Sequence, residues 1–279
     1  MSYKSLLTVL TDPNLAPELL AQAADLASHL DAHLDVLCIG VDRTQTGYYY
    51  AGASALVLQE TITRASREAE ELETFARKEL GKTDIRWGCD HTVAPIADLG
   101  RHVAGHARYC DLVILPQPYG EERGPELEGV VEGALFEGRT PVLVMPEGAS
   151  MAALPKRIAL AWNESAEALV AVRAALPFLS ASDRVNVVVI DPPTHGPNRS
   201  DPGGLLSQYI TRHGARVEVD VLAKSLPRGS DVLLRHATDT DTQLIVMGAY
   251  GHSRFREAIL GGATRNMLEV SKLPVFMAH

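Results

Sequence analysis

Short runs of continuous apolar residues alternate along this chain with longer segments in which apolar residues recur every three or four positions. Runs such as LDVLCIGVD, ending at Asp42, and VNVVVID, ending at Asp191, are rich in β-branched residues. Such runs are typical of parallel strands buried on both faces, whereas the segments 15–30 and 57–82 have the spacing of amphipathic helices. The alternation predicts an α/β fold.

The order of these elements occurs twice. The first predicted strand of each half ends in a short polar side chain, Asp12 or Asn163, and a second strand ends at Asp42 or Asp191. Near the end of each half, DLVILP matches QLIVMG, and TPVLVMP matches LPVFMAH. We therefore predict two tandem, doubly wound domains, 1–147 and 155–279.

Two helix starts are predicted in the second half. The segment from Ser165 to Leu179 takes the place of its first helix, and Ser230 has the position of an N-cap for the segment DVLLRHA. Serine is a favoured N-cap because its hydroxyl accepts a hydrogen bond from the first turn.

A glycine-rich stretch follows the strand LIVM in the second half. It contains Gly248, Gly251, Gly261 and Gly262, and it leads into the predicted helix ATRNMLEVSK. Ligands of open α/β sheets bind beyond the carboxyl ends of the strands, where glycines let peptide N–H groups approach a phosphate. The same glycines are also compatible with simple chain turns. The spacing is neither a Walker loop nor the GxGxxG fingerprint.

Cationic residues accompany this stretch. His252 follows Gly251 and would contact a phosphate when protonated, and Arg254, Arg256 and Arg265 would add charge-assisted hydrogen bonds. Solvent exposure is the alternative reading of all four side chains.

The spacing Gly-xx-Gly, nine residues, Gly, then a helix and the strand KLPV, resembles the nucleotide-binding signature of the universal stress protein family. With the repeated strand order, the resemblance covers nearly the whole chain and indicates a tandem universal stress protein. It implies a five-stranded parallel sheet in each domain, packing of the domains as a pseudo-dimer, and pairing of the terminal strands PVLVMP and PVFMAH.

The resemblance also implies site residues. It assigns Gly248, Gly251 and Gly261 to the phosphates, and it places Asn163 near the adenine or ribose and the backbone of Val189 near the adenine. The predicted cofactor-binding set comprises Asn163, Val189, Gly248, Gly251, His252, Gly261, Gly262, Ala263 and Thr264. The implied cofactor is ATP or another adenine nucleotide, with or without Mg²⁺.

Two positions of the second half depart from the family pattern. Gly262 stands where ATP-binding members have Ser or Thr, which removes a hydroxyl donor, and Thr264 is a candidate substitute. Asn163 stands where they have Asp, so the charge is lost while hydrogen bonding is kept.

The first half departs further. Its corresponding loop has Pro116 at the first glycine position and Tyr119 near the second, and four glutamates make it acidic, which opposes phosphate. We expect this half to serve as a structural or partner-facing domain without nucleotide, although Asp12 is retained. The glutamates are Glu121, Glu122, Glu126 and Glu128.

Composition narrows the function classes. The formal net charge of -9 opposes a nucleic-acid or anionic-membrane surface, and no long apolar run indicates a membrane span. The odd count of cysteines, Cys38, Cys89 and Cys110, favours free thiols, a reducing compartment and a cytoplasmic location.

No metal site or catalytic nucleophile is predicted. His102 and His106 have helical i, i+4 spacing, and Cys89 lies near His91, but ordinary surface or core roles are favoured for all of them. No serine lies in a nucleophile context.

Relative to the second half, the first half has an extra segment between its second and fourth strands, which contains Tyr48, Tyr49 and Tyr50. It is either a loop folded over its own domain or a cover for a ligand or partner.

These patterns together favour a stress-response factor whose second domain binds an adenine nucleotide. Bound phosphate is expected to order the 248–262 loop, a change that an unidentified protein partner reads. A homodimer of the chain is a further expectation. The alternatives are a nucleotide-independent scaffold or chaperone-like protein and an enzyme that slowly hydrolyses the nucleotide.

Overall fold

The computed structural model describes residues 2–43, 55–120, 123–192, 201–249 and 262–279. Its described part separates into two compact units, Tyr3–Thr140 and Pro141–His279. The domain limits expected at residues 147 and 155 stay a prediction. The tyrosines 48–50 lie outside the described residues.

The first unit alternates strands and helices in the predicted order. A 3-10 turn, Ile96–Asp98, precedes its third helix, and a π turn, Gly133–Glu137, follows its fourth. Its strands are β1 (Ser5–Leu10), β2 (His33–Asp42), β3 (Arg86–Pro95) and β4 (Leu112–Pro116), and its helices are α1 (Ala16–Leu30), α2 (Ala55–Leu80), α3 (Leu99–Ala107) and α4 (Glu126–Glu132).

The sheet of this unit has the strand order β3-β2-β1-β4. All three strand pairs are parallel, with Ser5 opposite His33, His33 opposite Arg86 and Leu6 opposite Leu112. Every residue of β4 is buried, as expected for a parallel strand covered on both faces.

The second unit repeats this order and includes one more strand at its start. Its strands are β5 (Val142–Met145), β6 (Arg157–Ala161), β7 (Arg184–Ile190), β8 (Val217–Leu222), β9 (Leu244–Gly248) and β10 (Val275–Ala278), and its helices are α5 (Ala166–Ala181), α6 (Gly204–Arg212), α7 (Gly229–Asp239) and α8 (Ala263–Val270).

The strand order in this unit is β5-β10-β9-β6-β7-β8. Its strand pairs are parallel except for β5 and β10, which run antiparallel with Val144 opposite Val275. The α/β class and the doubly wound, mostly parallel arrangement are confirmed, and so is the expected pairing of the two terminal strands. Strand β5 lies in the compact unit Pro141–His279.

The helix start predicted at Ser165 is confirmed, and the N-cap predicted at Ser230 is wrong. Ser165 is the N-cap of α5, and its hydroxyl accepts a hydrogen bond from the N–H of Ala168 at 3.1 Å. Ser230 is not an N-cap: α7 begins at Gly229 with Arg228 in the capping position, and Ser230 lies inside the first turn. Its hydroxyl instead accepts a bond from another helix, described below.

The chain order around β6 creates a crevice in the second unit. From β6 the sheet continues on one side to β7 and β8 and on the other to β9 and β10. Ligands of open α/β sheets bind at such a switch point, beyond the carboxyl ends of the strands. Among the helices described, none is long and apolar enough to cross a bilayer.

Candidate functional site

A cleft of about 190 Å³ lies at this switch point. Its walls come from the carboxyl ends of β6, β7 and β9 and from the first turns of α5, α7 and α8. The described residues that line it are Ala161, Trp162, Asn163, Ser165, Glu167, Val188, Ile190, Gly229, Ser230, Leu233, Met247, Gly248, Ala263 and Met267.

Three helix N-termini therefore surround the cleft, and they differ in how their N–H groups are satisfied. The first turn of α5 is capped by Ser165. In α7 and α8 the capping residues are Arg228 and Gly262, and neither provides a side-chain hydrogen bond to the helix. In α7 the N–H of Asp231 donates to the carbonyl of Arg228 at 3.2 Å. The start of a helix is the positive end of its dipole, where an anion is stabilised.

A buried hydrogen-bond network joins α7 to α8 beside the cleft. Asn266 of α8 is 5% exposed, and its amide donates to the hydroxyl of Ser230 at 2.7 Å and to the carboxylate of Asp231 at 3.3 Å. The Asn266 carbonyl oxygen accepts a bond from the guanidinium of Arg228. These bonds hold the two uncapped helix starts together.

Asn163 lies at the cleft as predicted, and it is exposed. Its side-chain oxygen accepts a hydrogen bond from the N–H of Ser165 at 3.2 Å, which turns the chain from β6 into α5. Asp12 makes the same turn in the first unit, where its carboxylate accepts a bond from the N–H of Asn14 at 2.8 Å. The short polar side chain after each first strand thus has a structural role that Asp and Asn share.

Gly248 also lines the cleft, and the close packing around it leaves no room for a Cβ atom. A Cβ at Gly248 would lie 2.5 Å from the backbone nitrogen of Ala168 and 2.7 Å from the carbonyl carbon of Glu167. Real Cβ contacts of that length essentially never occur, so β9 and the first turn of α5 approach each other because no side chain intervenes. A phosphate role for Gly248 stays a prediction.

The other described members of the predicted set lie around the cleft in different ways. Ala263 is exposed and lines it as the first residue of α8, directly after the capping residue Gly262. Thr264 is buried and is not among the lining residues. Val189 is buried on the strand face that packs towards Gly203, while its neighbours Val188 and Ile190 line the cleft.

The remaining members of the set, Gly251, His252 and Gly261, lie outside the described residues, as do Arg254 and Arg256. Among the described lining residues only Glu167 carries a charge, and it belongs to the first turn of α5.

Sequence reasoning missed Trp162, Glu167 and Leu233 as lining residues. Trp162 is partly buried directly after β6, and its backbone N–H donates to the carbonyl of Val188 at 2.9 Å. Its position beside Asn163 at a strand end was the available signal for Trp162. Nothing in the pattern identified Glu167 or Leu233, because their helices reach the cleft only through tertiary packing.

The corresponding region of the first unit contains an ion pair between an exposed arginine and a buried glutamate. Arg43 follows β2 directly, and its guanidinium donates to the carboxylate of Glu126 at 2.6 Å and lies 3.5 Å from that of Glu68. Glu126, the first residue of α4, is 3% exposed. Burial disfavours the charge on Arg43, but the bonds to both carboxylates outweigh it and raise the pKa of the guanidinium.

This ion pair places a carboxylate at the start of α4, the helix that corresponds to α8 of the second unit. The positive end of the helix dipole stabilises this carboxylate, and the negative charge of the carboxylate repels a phosphate. The geometry supports the expectation of a first half without nucleotide, which stays a prediction. Tyr119 of the same loop donates its hydroxyl to Glu128 at 2.8 Å.

The candidate metal residues form other contacts. His91 lies 2.5 Å from the carboxylate of Glu73, and His102 contacts the carbonyl of Asp98 at 3.0 Å. Hydrogen bonding from Arg77, with His91 as a further partner, holds the pKa of Glu73 below its ordinary value. Within the described ranges, no group of three or more His, Cys, Asp or Glu side chains is arranged to hold a metal ion.

All three cysteines are free thiols. The sulfurs of Cys38 and Cys89 lie 3.9 Å apart on neighbouring strands, and their hydrogen bond, together with burial, raises the pKa of the Cys38 thiol. The free thiols agree with the sequence prediction.

Comparison with known proteins shows a sequence likeness in the second half. Residues 155–279 match the model of the Universal stress protein family. A universal stress protein of Synechocystis sp. strain PCC 6803 is 28% identical over 105 residues. That alignment covers 36% of this chain and 36% of the relative, so it spans about a third of the relative's length. The second half is therefore similar in sequence to a universal stress protein domain.

Solved structures extend the likeness to the fold of the whole chain. A universal stress protein from Archaeoglobus fulgidus DSM 4304 superposes with a TM-score of 0.74, at 15% identity, over 98% of this chain and 96% of its own. A functionally unknown protein from Pseudomonas aeruginosa PAO1 gives 0.58, at 13% identity, over 99% and 92%. At these identities the likeness is one of fold.

Proposed function

We propose that this chain is a tandem universal stress protein whose second half binds an adenine nucleotide and acts through a protein partner. The observation that carries the proposal is the cleft between β6, β7 and β9, bounded by two uncapped helix starts within the residues that match the family.

The composition of the cleft suits such a ligand. Val188, Ile190, Leu233, Met247 and Met267 provide apolar contact for a base. The starts of α7 and α8 place the positive ends of two helix dipoles at the cleft, which favours phosphate, and Gly262 has no side chain that would compete with it. In this proposal Ala263 marks the phosphate end of the cleft.

Substitution of Ala263 tests the proposal. Ala263→Glu puts a negative charge at the start of α8, where the helix dipole favours it, so the fold is preserved while phosphate is repelled. Ala263→Gln has nearly the same size and no charge. We expect ATP affinity in calorimetric titration, with and without Mg²⁺, to be about tenfold or more weaker in the glutamate variant than in the glutamine variant.

Absence of saturable binding of ATP, ADP and AMP at millimolar concentration to the unchanged protein would contradict the proposal. It would favour the alternative, a scaffold that works without nucleotide. The close approach of Gly248 to Ala168 is the observation that favours this alternative, because it explains one signature glycine by packing. Mg²⁺-dependent release of product at a steady rate would instead indicate an enzyme.

A further inference from the structure

Two thiols lie side by side inside the first unit. The sulfurs of Cys38 on β2 and Cys89 on β3 are 3.9 Å apart, and the two residues are 0% and 5% exposed. A buried pair of this kind can fill space, form a disulfide or bind a soft metal ion.

The second unit shows that packing does not require thiols at these positions. The first strands of the two units have matching partners on both sides, with Leu6 opposite Leu34 and Leu112, and Ile158 opposite Val185 and Leu244. Counted from these pairs, Cys38 matches Val189 of β7. Counted in the same way, Cys89 matches Val219 of β8. Valine therefore fills both positions in the second unit, and packing alone does not explain the two cysteines.

The register of β2 and β3 disfavours a disulfide. Cys38 lies opposite His91. Cys89 lies opposite Val36, so the two cysteines are offset by two residues along the strands. Neighbouring strands are about 4.8 Å apart and rise about 3.3 Å per residue, which puts the Cα atoms of the pair about 8 Å apart. A disulfide needs Cα atoms within about 7 Å unless the backbone moves. The strand pairing thus holds the sulfurs close together and prevents them from bonding.

The spacing of the sulfurs suits an ion that bridges them. A metal–thiolate bond is about 2.3 Å long, so two sulfurs on one ion lie at most about 4.6 Å apart. The observed 3.9 Å falls within that limit. Thiolates prefer soft ions such as Cu(I) and Zn²⁺.

The number of ligands favours Cu(I) over Zn²⁺. Structural Zn²⁺ sites have four ligands, whereas Cu(I) is stable with two thiolates in a nearly linear arrangement. Across the part of the chain that the structure describes, no set of three or more His, Cys, Asp or Glu side chains could hold a metal. The pair therefore suits an ion that needs two ligands.

The charges beside the pair are nearly balanced. The guanidinium of Arg77 donates to the backbone carbonyl of Cys89 at 2.5 Å and lies 2.7 Å from the carboxylate of Glu73. Cu(I) with two thiolates carries one negative charge, and Arg77 reduces the cost of burying it. Glu73 opposes this anion, but its carboxylate is paired with Arg77 and His91.

We infer that Cys38 and Cys89 form a binding site for Cu(I), with one sulfur of each residue as a ligand. Binding converts two thiols and one Cu(I) ion into a bis-thiolate complex and releases two protons, so no electron is transferred. The site lies within the first unit, and it does not depend on nucleotide binding by the second half.

Anaerobic titration of the reduced whole chain with Cu(I), against a competing coloured chelator, tests the inference. Cys38→Val and Cys89→Val introduce the residues found at the matching positions of the second unit. Loss of an outer-shell partner already lowers metal affinity by about 10- to 100-fold, so each variant should bind Cu(I) about hundredfold or more weakly than the parent. Cys110→Ser, at the remaining thiol of the chain, is the control and should bind like the parent.

Two further measurements support the titration. Thermal melting checks that the valine variants are folded. The copper X-ray absorption spectrum of the loaded parent should show two sulfur ligands, and this measurement needs no variant.

Several results would overturn the inference. Equal Cu(I) affinity of the parent and both valine variants would show that the pair is not the site. Binding of Zn²⁺ at this pair as tight as that of Cu(I) would show that the ion is wrongly assigned. A disulfide between Cys38 and Cys89 after treatment of the metal-free protein with diamide, detected by mass spectrometry, would show that the strand register does not keep the sulfurs apart.

Discussion

Gly248 passes so close to Ala168 that a Cβ on the glycine would lie 2.5 Å from the alanine's backbone nitrogen. The contact joins the end of β9 to the first turn of α5, the two elements that form one wall of the cleft. The geometry of the site therefore depends on a close approach of two backbones, whatever the site binds.

Gly248→Ala should destabilise the protein even without ligand. Overpacking of this kind costs about 1–3 kcal/mol, measured as the free energy of unfolding in urea. Gly129→Ala is the matched control, because Gly129 lies within α4 and a Cβ there meets nothing within 4 Å. The control should be neutral or stabilising by up to about 1 kcal/mol. Equal stability of the two variants would contradict the packing role of Gly248.

The pair of Arg43 and Glu126 should behave as a coupled unit. Arg43→Met leaves the buried Glu126 carboxylate without its cation, and we expect a loss of about 2 kcal/mol, less than for a fully buried pair because Arg43 is partly exposed. Adding Glu126→Gln removes the unpaired charge and should recover part of the loss. Denaturant unfolding of the two single variants and the double variant gives the free energies for a double-mutant cycle. If the two losses simply add, the pair is not coupled.

The protein should be more sensitive to substitution of Asn266 than of Asn163. Asn266→Ala removes the bonds from Asn266 to Ser230 and Asp231 and leaves the buried Ser230 hydroxyl without this donor, so we expect a loss of about 2 kcal/mol in the free energy of unfolding. Asn163 is exposed and makes one hydrogen bond in a turn, so Asn163→Ala should lower the free energy of unfolding by less than about 1 kcal/mol. Thermal unfolding of both variants measures the two losses. The idea that the network joins α7 to α8 fails if the two losses are alike.

Glu73 should stabilise the protein in a pH-dependent way. Because its pKa is lowered in the folded state, its contribution is complete above about pH 4.3, the ordinary glutamate pKa, and is lost as pH falls through the lower folded value. Glu73→Gln should therefore cost up to about 1 kcal/mol at pH 7 and progressively less below pH 4.

Glu71→Gln, at an exposed glutamate of the same helix that lies 3.7 Å from Arg67, is the control and should show little effect at either pH. Urea unfolding at pH 7, 5 and 3 separates the two variants. A difference between parent and Glu73→Gln that does not change with pH would contradict the assignment.

The order of elements was predictable because it depends on local patterns. Continuous β-branched runs identified the buried strands, and the charged segment 57–82, rich in Glu, Arg and Ala, identified α2, which begins and ends within two residues of that range. The offset between the halves also placed Asp12 and Asn163 at equivalent turns, where the structure shows the same side-chain bond.

The sequence did not predict features that depend on tertiary contacts. Ser230 has the sequence of an N-cap, but it lies one residue inside α7 and its hydroxyl accepts a bond from Asn266, 36 positions away. Which side of β7 lines the cleft depends on which helices cover each face, and this is why Val188 and Ile190, rather than the side chain of Val189, form the wall. The glycine Gly248 was correctly placed at the cleft, but its contact with α5 could not be inferred from spacing.

The antiparallel pairing of β5 with β10 determines where the chain can be divided into fragments. A fragment that starts at residue 155, where the family match begins, would encode β10 without Val142–Met145 and so leave the last strand with a bare row of hydrogen-bonding groups. A fragment that starts ahead of Pro141 keeps that edge covered. Truncation just before the family-matched segment is therefore expected to yield a half that self-associates more readily than a fragment that starts ahead of Pro141 and keeps β5.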